Sequence, residues 1–155
     1  MCSEWDWRGL PYWLMNKDVD IRTSDEQYMK YVKRYFEQLA KQFVPYLSTN
    51  GGPIIAVAVE NEYGSFGDDS DYIKTMGDLL IELGVDVPLF IGNGVEPFKM
   101  QAGSRPEYWT GIDLHQLSPE GEKSIRSYQP NKPMVLVNNR LLFTVKITFK
   151  KEQKP

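Results

Sequence analysis

At 155 residues, with 41% hydrophobic and 25% charged side chains, the chain has enough apolar material for one domain with a core, which excludes a disordered polymer. Its formal net charge is −3 and its first 138 residues hold no basic cluster, which argues against nucleic acid or an anionic membrane as a partner. Cys2 is the single cysteine and His115 the single histidine, so an internal disulfide is excluded and no zinc-type metal cluster is expected.

After a Trp-rich opening, MCSEWDWRGLPYWL, residues 22–27 read as a helix start, with Ser24 as cap and Gln27 placed for a capping box. Tyr28, Val32, Tyr35, Phe36, Leu39 and Phe43 then fall on one helical stripe. Pro45 and the turn Asn50-Gly51-Gly52-Pro53 stop that helix. Six consecutive apolar residues, 54–59, predict a strand covered on both faces, because a half-exposed strand would alternate. If the strand stays regular as far as Tyr63, Glu60 and Glu62 share one side while Asn61 and Tyr63 share the other.

A second helix is expected over 70–83, where Ile73, Met76, Leu79, Leu80 and Leu83 recur at helical steps and Gly84 supplies the stop. Residues 87–91 and 111–114 read as short strands, Ser118-Pro119 opens a helix toward Tyr128, and 133–137 is again a compact apolar run. Helices alternating with buried strands imply a parallel sheet with helical crossovers, either doubly wound or a (β/α)8 barrel. Both architectures carry their chemistry at strand C-termini. Here those positions hold Glu60-Asn61-Glu62, Gly92-Asn93 and His115-Gln116. No glycine-rich nucleotide loop follows any strand, which favours the barrel. A whole barrel typically takes about 250 residues, so the expectation is part of one. In the tail, 139–155, apolar Phe143, Val145, Ile147 and Phe149 alternate with Thr and Lys as in a half-buried strand, and five Lys or Arg stand against one Glu. A basic edge strand that resists aggregation has the same pattern.

The segment GGPIIAVAVENEYGSFG, with EWDWRGLPYWL upstream and IRTSDEQYMKYVKRYFEQL between, closely resembles glycoside hydrolase family 35, the β-galactosidases, over about residues 2–137. The resemblance implies an α/β fold, a partial TIM (β/α)8 barrel running from the end of strand 3 through strand 7. It also implies retaining hydrolysis of terminal β-linked galactosides, with a carbohydrate substrate and no cofactor. Residue by residue, Glu62 resembles the general acid/base at the end of the fourth strand, and Asn61 the ligand of the sugar's 2-hydroxyl. Glu4 resembles a galactose-hydroxyl ligand at the end of the third strand, with Ser3 lining the pocket beside it. Glu60 has no catalytic role in the family pattern and is expected as a carboxylate hydrogen-bonded inside the barrel.

Retaining glycosidases hold two carboxyl groups about 5–5.5 Å apart, one protonating the leaving oxygen and one attacking the anomeric carbon. The acid must keep its proton near the working pH, which the charge of its partner favours. In the family the attacking Glu closes the seventh strand. Residues 132–137, KPMVLV, match that strand, but the next residue is Asn138, and NRLLFTVKITFKK does not resemble the family's continuation. The sequence therefore divides into a partial catalytic barrel, 1–137, and a divergent basic tail, 138–155.

Loss of similarity from Asn138 onward suggests a truncated or frame-disrupted fragment that is inactive alone. The alternatives are a galactoside-binding pseudoenzyme and a different retaining β-glycosidase. Missing barrel strands would leave open edges, hence aggregation or dependence on another segment. No run of about 18 apolar residues is present, so no membrane-spanning segment is expected. Family relatives are commonly secreted, periplasmic or lysosomal, and this chain carries no recognisable targeting segment.

Overall fold

The structure, a computed structural model, describes residues 9–113, 118–137 and 146–148. Among the described residues nine α-helices and strands follow in order: α1 (Glu26–Phe43), β1 (Val57–Asn61), α2 (Ser70–Glu82), β2 (Leu89–Asn93), α3 (Pro97–Gly103), β3 (Trp109–Asp113), α4 (Pro119–Tyr128), β4 (Met134–Val137) and β5 (Lys146–Thr148). The strands lie side by side in chain order, β1 to β4 parallel and β5 antiparallel to β4. Each parallel pair is joined through a helix, the arrangement expected from the alternation of patterns. The order never reverses, so these strands contain no doubly wound switch point.

Helix α1 begins one residue later than Ser24 as cap would place it. Its cap is Asp25, whose Oδ1 accepts the Tyr28 N–H at 2.6 Å. Ser24 is otherwise occupied: its N–H and its hydroxyl both donate to Asp69 Oδ2 at 2.7 Å. Asp69 also caps α2, accepting the Tyr72 N–H through Oδ1 at 2.9 Å, so one carboxylate secures the starts of two helices.

Burial would raise the Asp69 carboxyl, but the hydrogen bonds from Ser24 and Tyr72 outweigh it and hold the carboxyl below its ordinary range. With the folded value below the unfolded one, this stabilisation is present above the ordinary carboxylate range near pH 4 and is lost as pH falls through the folded value. Asp69→Ala is expected to cost about 1–2 kcal/mol at pH 7, the usual range for a lost cap. Thermal unfolding against pH checks it: the wild-type advantage must shrink below about pH 4, and a constant offset would refute the assignment.

The α1 stripe is narrower than its sequence suggests. Tyr28, Val32 and Ala40 are buried and Phe36 and Phe43 pack against the core, whereas Tyr35 and Leu39, one position off the four-residue ladder, are exposed. The core lies between the helices and one face of the sheet. Val59, Leu89 and Ile91 meet Tyr28, Val32, Tyr72, Ile73 and Leu80. A second cluster joins Met100, Ile112, Ile125, Met134 and Leu136 under α3 and α4.

The expected strand at 54–59 is displaced and is not covered on both faces. Ile54 bonds instead to the preceding segment, its N–H to Tyr46 O at 3.0 Å and its carbonyl accepting Ser48 N–H at 2.7 Å. The ladder begins only at Val57. Ala58 is exposed, because the helices cover one face of β1 and no described element lies over the other. Helix α2 closes at Gly84, which takes φ 98° as a stop signal requires. Strand β2 runs two residues past the expected 87–91, and β3 starts at Trp109 rather than 111. Helix α3 went unrecognised: seven residues, the first a proline, are too few to show a period. Within the alternating tail, Lys146–Thr148 forms β5, and the rest of that pattern lies outside the described residues.

Candidate active site

The C-terminal end of β1 does not continue as a regular strand. Its register against β2 slips between Ala58 and Glu60, a bulge that places one extra residue on β1. The strand ends at Asn61, and Glu62 takes the left-handed conformation, φ 52° and ψ 28°, before the single 3-10 turn Tyr63–Ser65. The strand is therefore not regular as far as Tyr63, and the condition on which Glu60 and Glu62 would share a side is not met, because alternation requires an unbroken strand. A non-glycine residue in this region costs on the order of 1–2 kcal/mol and persists where its surroundings over-determine it.

Those surroundings are on view. Glu62 N–H donates to Gly92 O at 2.6 Å, and its carbonyl accepts the Ser65 N–H at 3.0 Å. Tyr63, 1% exposed, donates its hydroxyl to Arg22 O at 3.0 Å and accepts the Asp69 N–H at 3.1 Å. Gly64 lies so close to α3 that a methyl group there would overlap the Lys99 carbonyl. The Glu62 side chain is half-buried.

Glu60 points into the helix layer, toward Arg22 and Tyr72, rather than inside the barrel where it was expected. Its carboxylate accepts Arg22 Nε at 2.9 Å, Arg22 Nη2 at 3.1 Å, the Tyr72 hydroxyl at 3.0 Å and the Asn61 N–H at 2.5 Å. Burial and the Glu60 charge both drive the Tyr72 hydroxyl far above the ordinary tyrosine range, so it remains a donor. Burial works against the Arg22 guanidinium charge, but the Glu60 hydrogen bond and charge outweigh it and hold Arg22 above its ordinary value. A carboxylate with this many donors is a structural anchor; its hydrogen-bonding character was foreseen, its direction was not.

Asn61 takes the opposite face. Its Oδ1 lies 3.3 Å from where a Gly92 Cβ would stand, and Val137 Cγ2 lies 3.2 Å from the same point. Val137 Cγ1 is also 3.3 Å from the corresponding point on Gly111. Strands two apart in a flat sheet are separated by roughly 9.5 Å, so a β4 methyl within contact of β2 means that the sheet curls toward this face. Two glycines leave the room for it. The curl brings the end of β4 toward the end of β1.

Asn93, a strand-end polar residue, serves packing. It is 2% exposed and donates Nδ2 to Gly103 O at 2.8 Å and to Ser104 Oγ at 3.2 Å, while Oδ1 accepts the Gly64 N–H at 3.5 Å. It staples α3 to the turn that follows Glu62. Ser3, Glu4, His115, Gln116 and Asn138 lie outside the described residues. Of the expected site residues, Asn61 and Glu62 are thus seen together. Arg22 and Tyr72 were missed, since no spacing rule joins positions 38 and 12 residues from Glu60.

A parallel α/β sheet with polar side chains on strand C-termini is the framework of an α/β enzyme. The chain matches the model of glycosyl hydrolases family 35 over residues 1–145, past the end of β4. It is 36% identical over 143 residues to a β-galactosidase of Bos taurus, covering 87% of this chain and 21% of that protein. It is 41% identical over 141 residues to a β-galactosidase of Xanthomonas manihotis, covering 87% of this chain and 23% of that protein. With β-galactosidase 17 of Arabidopsis thaliana the identity is 37% over 119 residues, 74% of this chain and 17% of the relative. The chain belongs to glycosyl hydrolases family 35, and it spans about a fifth of the length of the curated relatives it matches.

Proposed function

We infer that this chain carries the acid/base end of a retaining β-galactosidase site, whose reaction is hydrolysis of terminal β-galactosides. The carrying observation is the pairing of Asn61 on the inward-curling face with Glu62 held in a left-handed turn at the end of β1. The family is built on (β/α)8 barrels, and β1 to β4 serve as strands 4 to 7 of one. Their unreversed order and their curl support that reading. In it Glu62 protonates the leaving oxygen, Asn61 binds the sugar's 2-hydroxyl, and Glu4 and Ser3 complete the galactose pocket.

Asn138 follows β4 where the family's nucleophile stands. A carboxamide carries no negative charge and cannot form the glycosyl ester, so the chain alone does not turn over, and its galactose binding rests on Asn61, Glu62, Glu4 and Ser3. We read the boundary at Val137, eight residues short of the end of the family match, with 138–155 as a divergent tail; the antiparallel direction of β5 departs from barrel alternation and supports it.

A chromogenic β-galactoside with purified chain tests this. Release is expected at background for wild type and for Glu62→Gln alike, since losing a catalytic carboxylate costs orders of magnitude in rate. Release above background that Glu62→Gln abolishes would show that a nucleophile is present after all. Galactose is expected to perturb the NMR resonances of Asn61 and Glu62, and a glucoside to do so less. No response to galactose would remove the sugar-site reading.

A further inference from the structure

We propose that Arg22 is the positioning residue for Asn61 and Glu62: with Glu60 it brackets the Asn61 backbone and holds the strand end in the shape that presents both side chains. The proposal rests on the reading of Asn61 and Glu62 as sugar-site residues. In a β-strand the N–H and C=O of one residue point to the same side, and those of the next residue to the other. Glu62 N–H is taken by Gly92 O at 2.6 Å, so the N–H and C=O of Asn61 point away from β2, along the outer edge of β1. There the Glu60 carboxylate accepts the Asn61 N–H at 2.5 Å, and Arg22 Nη2 donates to the Asn61 carbonyl at 3.1 Å. No described strand lies on that edge. An ion pair supplies the hydrogen bonds that a neighbouring strand would.

The guanidinium has the shape for this. Nε and Nη2 grip both Glu60 oxygens while Nη2 also reaches Asn61 O. Its carbon lies 5.4 Å from the ring centroid of Tyr63, which opens the turn, and 5.3 Å from that of Phe66, which follows it. Arg22 is itself left-handed, φ 56°, and its carbonyl accepts the Tyr63 hydroxyl at 3.0 Å. One residue thus contacts the segment on both sides of Glu62. Rotation of the Asn61 peptide would swing Oδ1 off Gly92 and carry Glu62 with it. A lysine keeps the charge and lacks the fork, so it cannot hold Glu60 and Asn61 O together.

Residue-resolved amide hydrogen exchange on the full chain, wild type against Arg22→Lys, tests the bracket. Exchange at Asn61 and Glu62 is expected to rise about tenfold or more while the amides of β2 and β3 stay within about twofold, as local rather than global opening demands. Glu60→Gln, which weakens the same bracket without changing side-chain size, is expected to accelerate the same two amides. Unchanged exchange at Asn61 and Glu62, or equal acceleration throughout β2 and β3, would overturn the proposal, because a merely structural residue loosens the sheet as a unit. A galactose titration of both proteins separates it from the reading on which it rests, and Arg22→Lys is expected to weaken galactose binding by about threefold or more. Equal binding by both would overturn the positioning role alone. A wild-type chain whose Asn61 and Glu62 resonances ignore high-millimolar galactose would overturn the sugar site and the positioning role together.

Discussion

Arg22→Leu is expected to lower the unfolding free energy by about 2–3 kcal/mol, between the values for an exposed pair and for a fully buried one. The pair is partly buried, since the Arg22 and Glu60 side chains retain 20% and 10% of their exposure. Leucine leaves the Glu60 carboxylate with the Tyr72 hydroxyl and the Asn61 N–H but no cation. Its negative charge is then out of water and uncompensated. Most of the loss comes from that orphaned charge, so Glu60→Gln in the Arg22→Leu background is expected to recover a large share of it. Denaturant unfolding of the two single variants and the double variant at pH 7 measures this. A loss under about 1 kcal/mol, the size expected of an exposed pair, would show that water already screens the site. Against a total domain stability of roughly 5–15 kcal/mol, the expected loss is large enough to unfold a marginal chain.

Gly64→Ala is expected to cost about 3 kcal/mol, the upper end of what overpacking does. The added methyl would overlap the Lys99 carbonyl and crowd its Cα, which lies 2.9 Å from the methyl's position. Both are backbone atoms of α3, and no rotamer change moves them. The turn after Glu62 must therefore lift away from α3, breaking the Gly64 N–H bond to Asn93. Gly51 provides the contrast. It sits at φ 83° with nothing within 4 Å of its added methyl, so alanine there meets dihedral strain without collision, worth on the order of 1–2 kcal/mol. Urea unfolding of both variants ranks them, and a larger loss at Gly51 than at Gly64 would contradict the close packing of the turn on α3.

Much of the fold was legible because its signals are local. The stop at Gly84, the Ser118 cap with Pro119 behind it, and the apolar ladder of α2 all act within a few residues, and the elements appear where those residues stand. The errors fall where a distant partner intervened. Ser24 lost the capping role because its hydroxyl reaches Asp69, 45 residues away. The expected start of β1 failed because Ile54 bonds to the segment at 46–48 instead of the sheet.

The sequence by itself determined the class and family. Alternating helix and strand patterns dictate a parallel sheet with crossovers, and the ENEYGS segment with its flanks carries the family's signature. What only the tertiary structure decided is which way Glu60 and Asn61 face at the end of β1. Side-chain alternation is a rule of unbroken strands, and here a bulge before Glu60 and a left-handed turn at Glu62 break it twice. The breaks are held by Arg22, 38 residues from Glu60, whose fork turns Glu60 into an anchor and frees Asn61 for the opposite face. No local periodicity encodes a contact between residues so far apart, because that contact exists only once the sheet and α2 have packed.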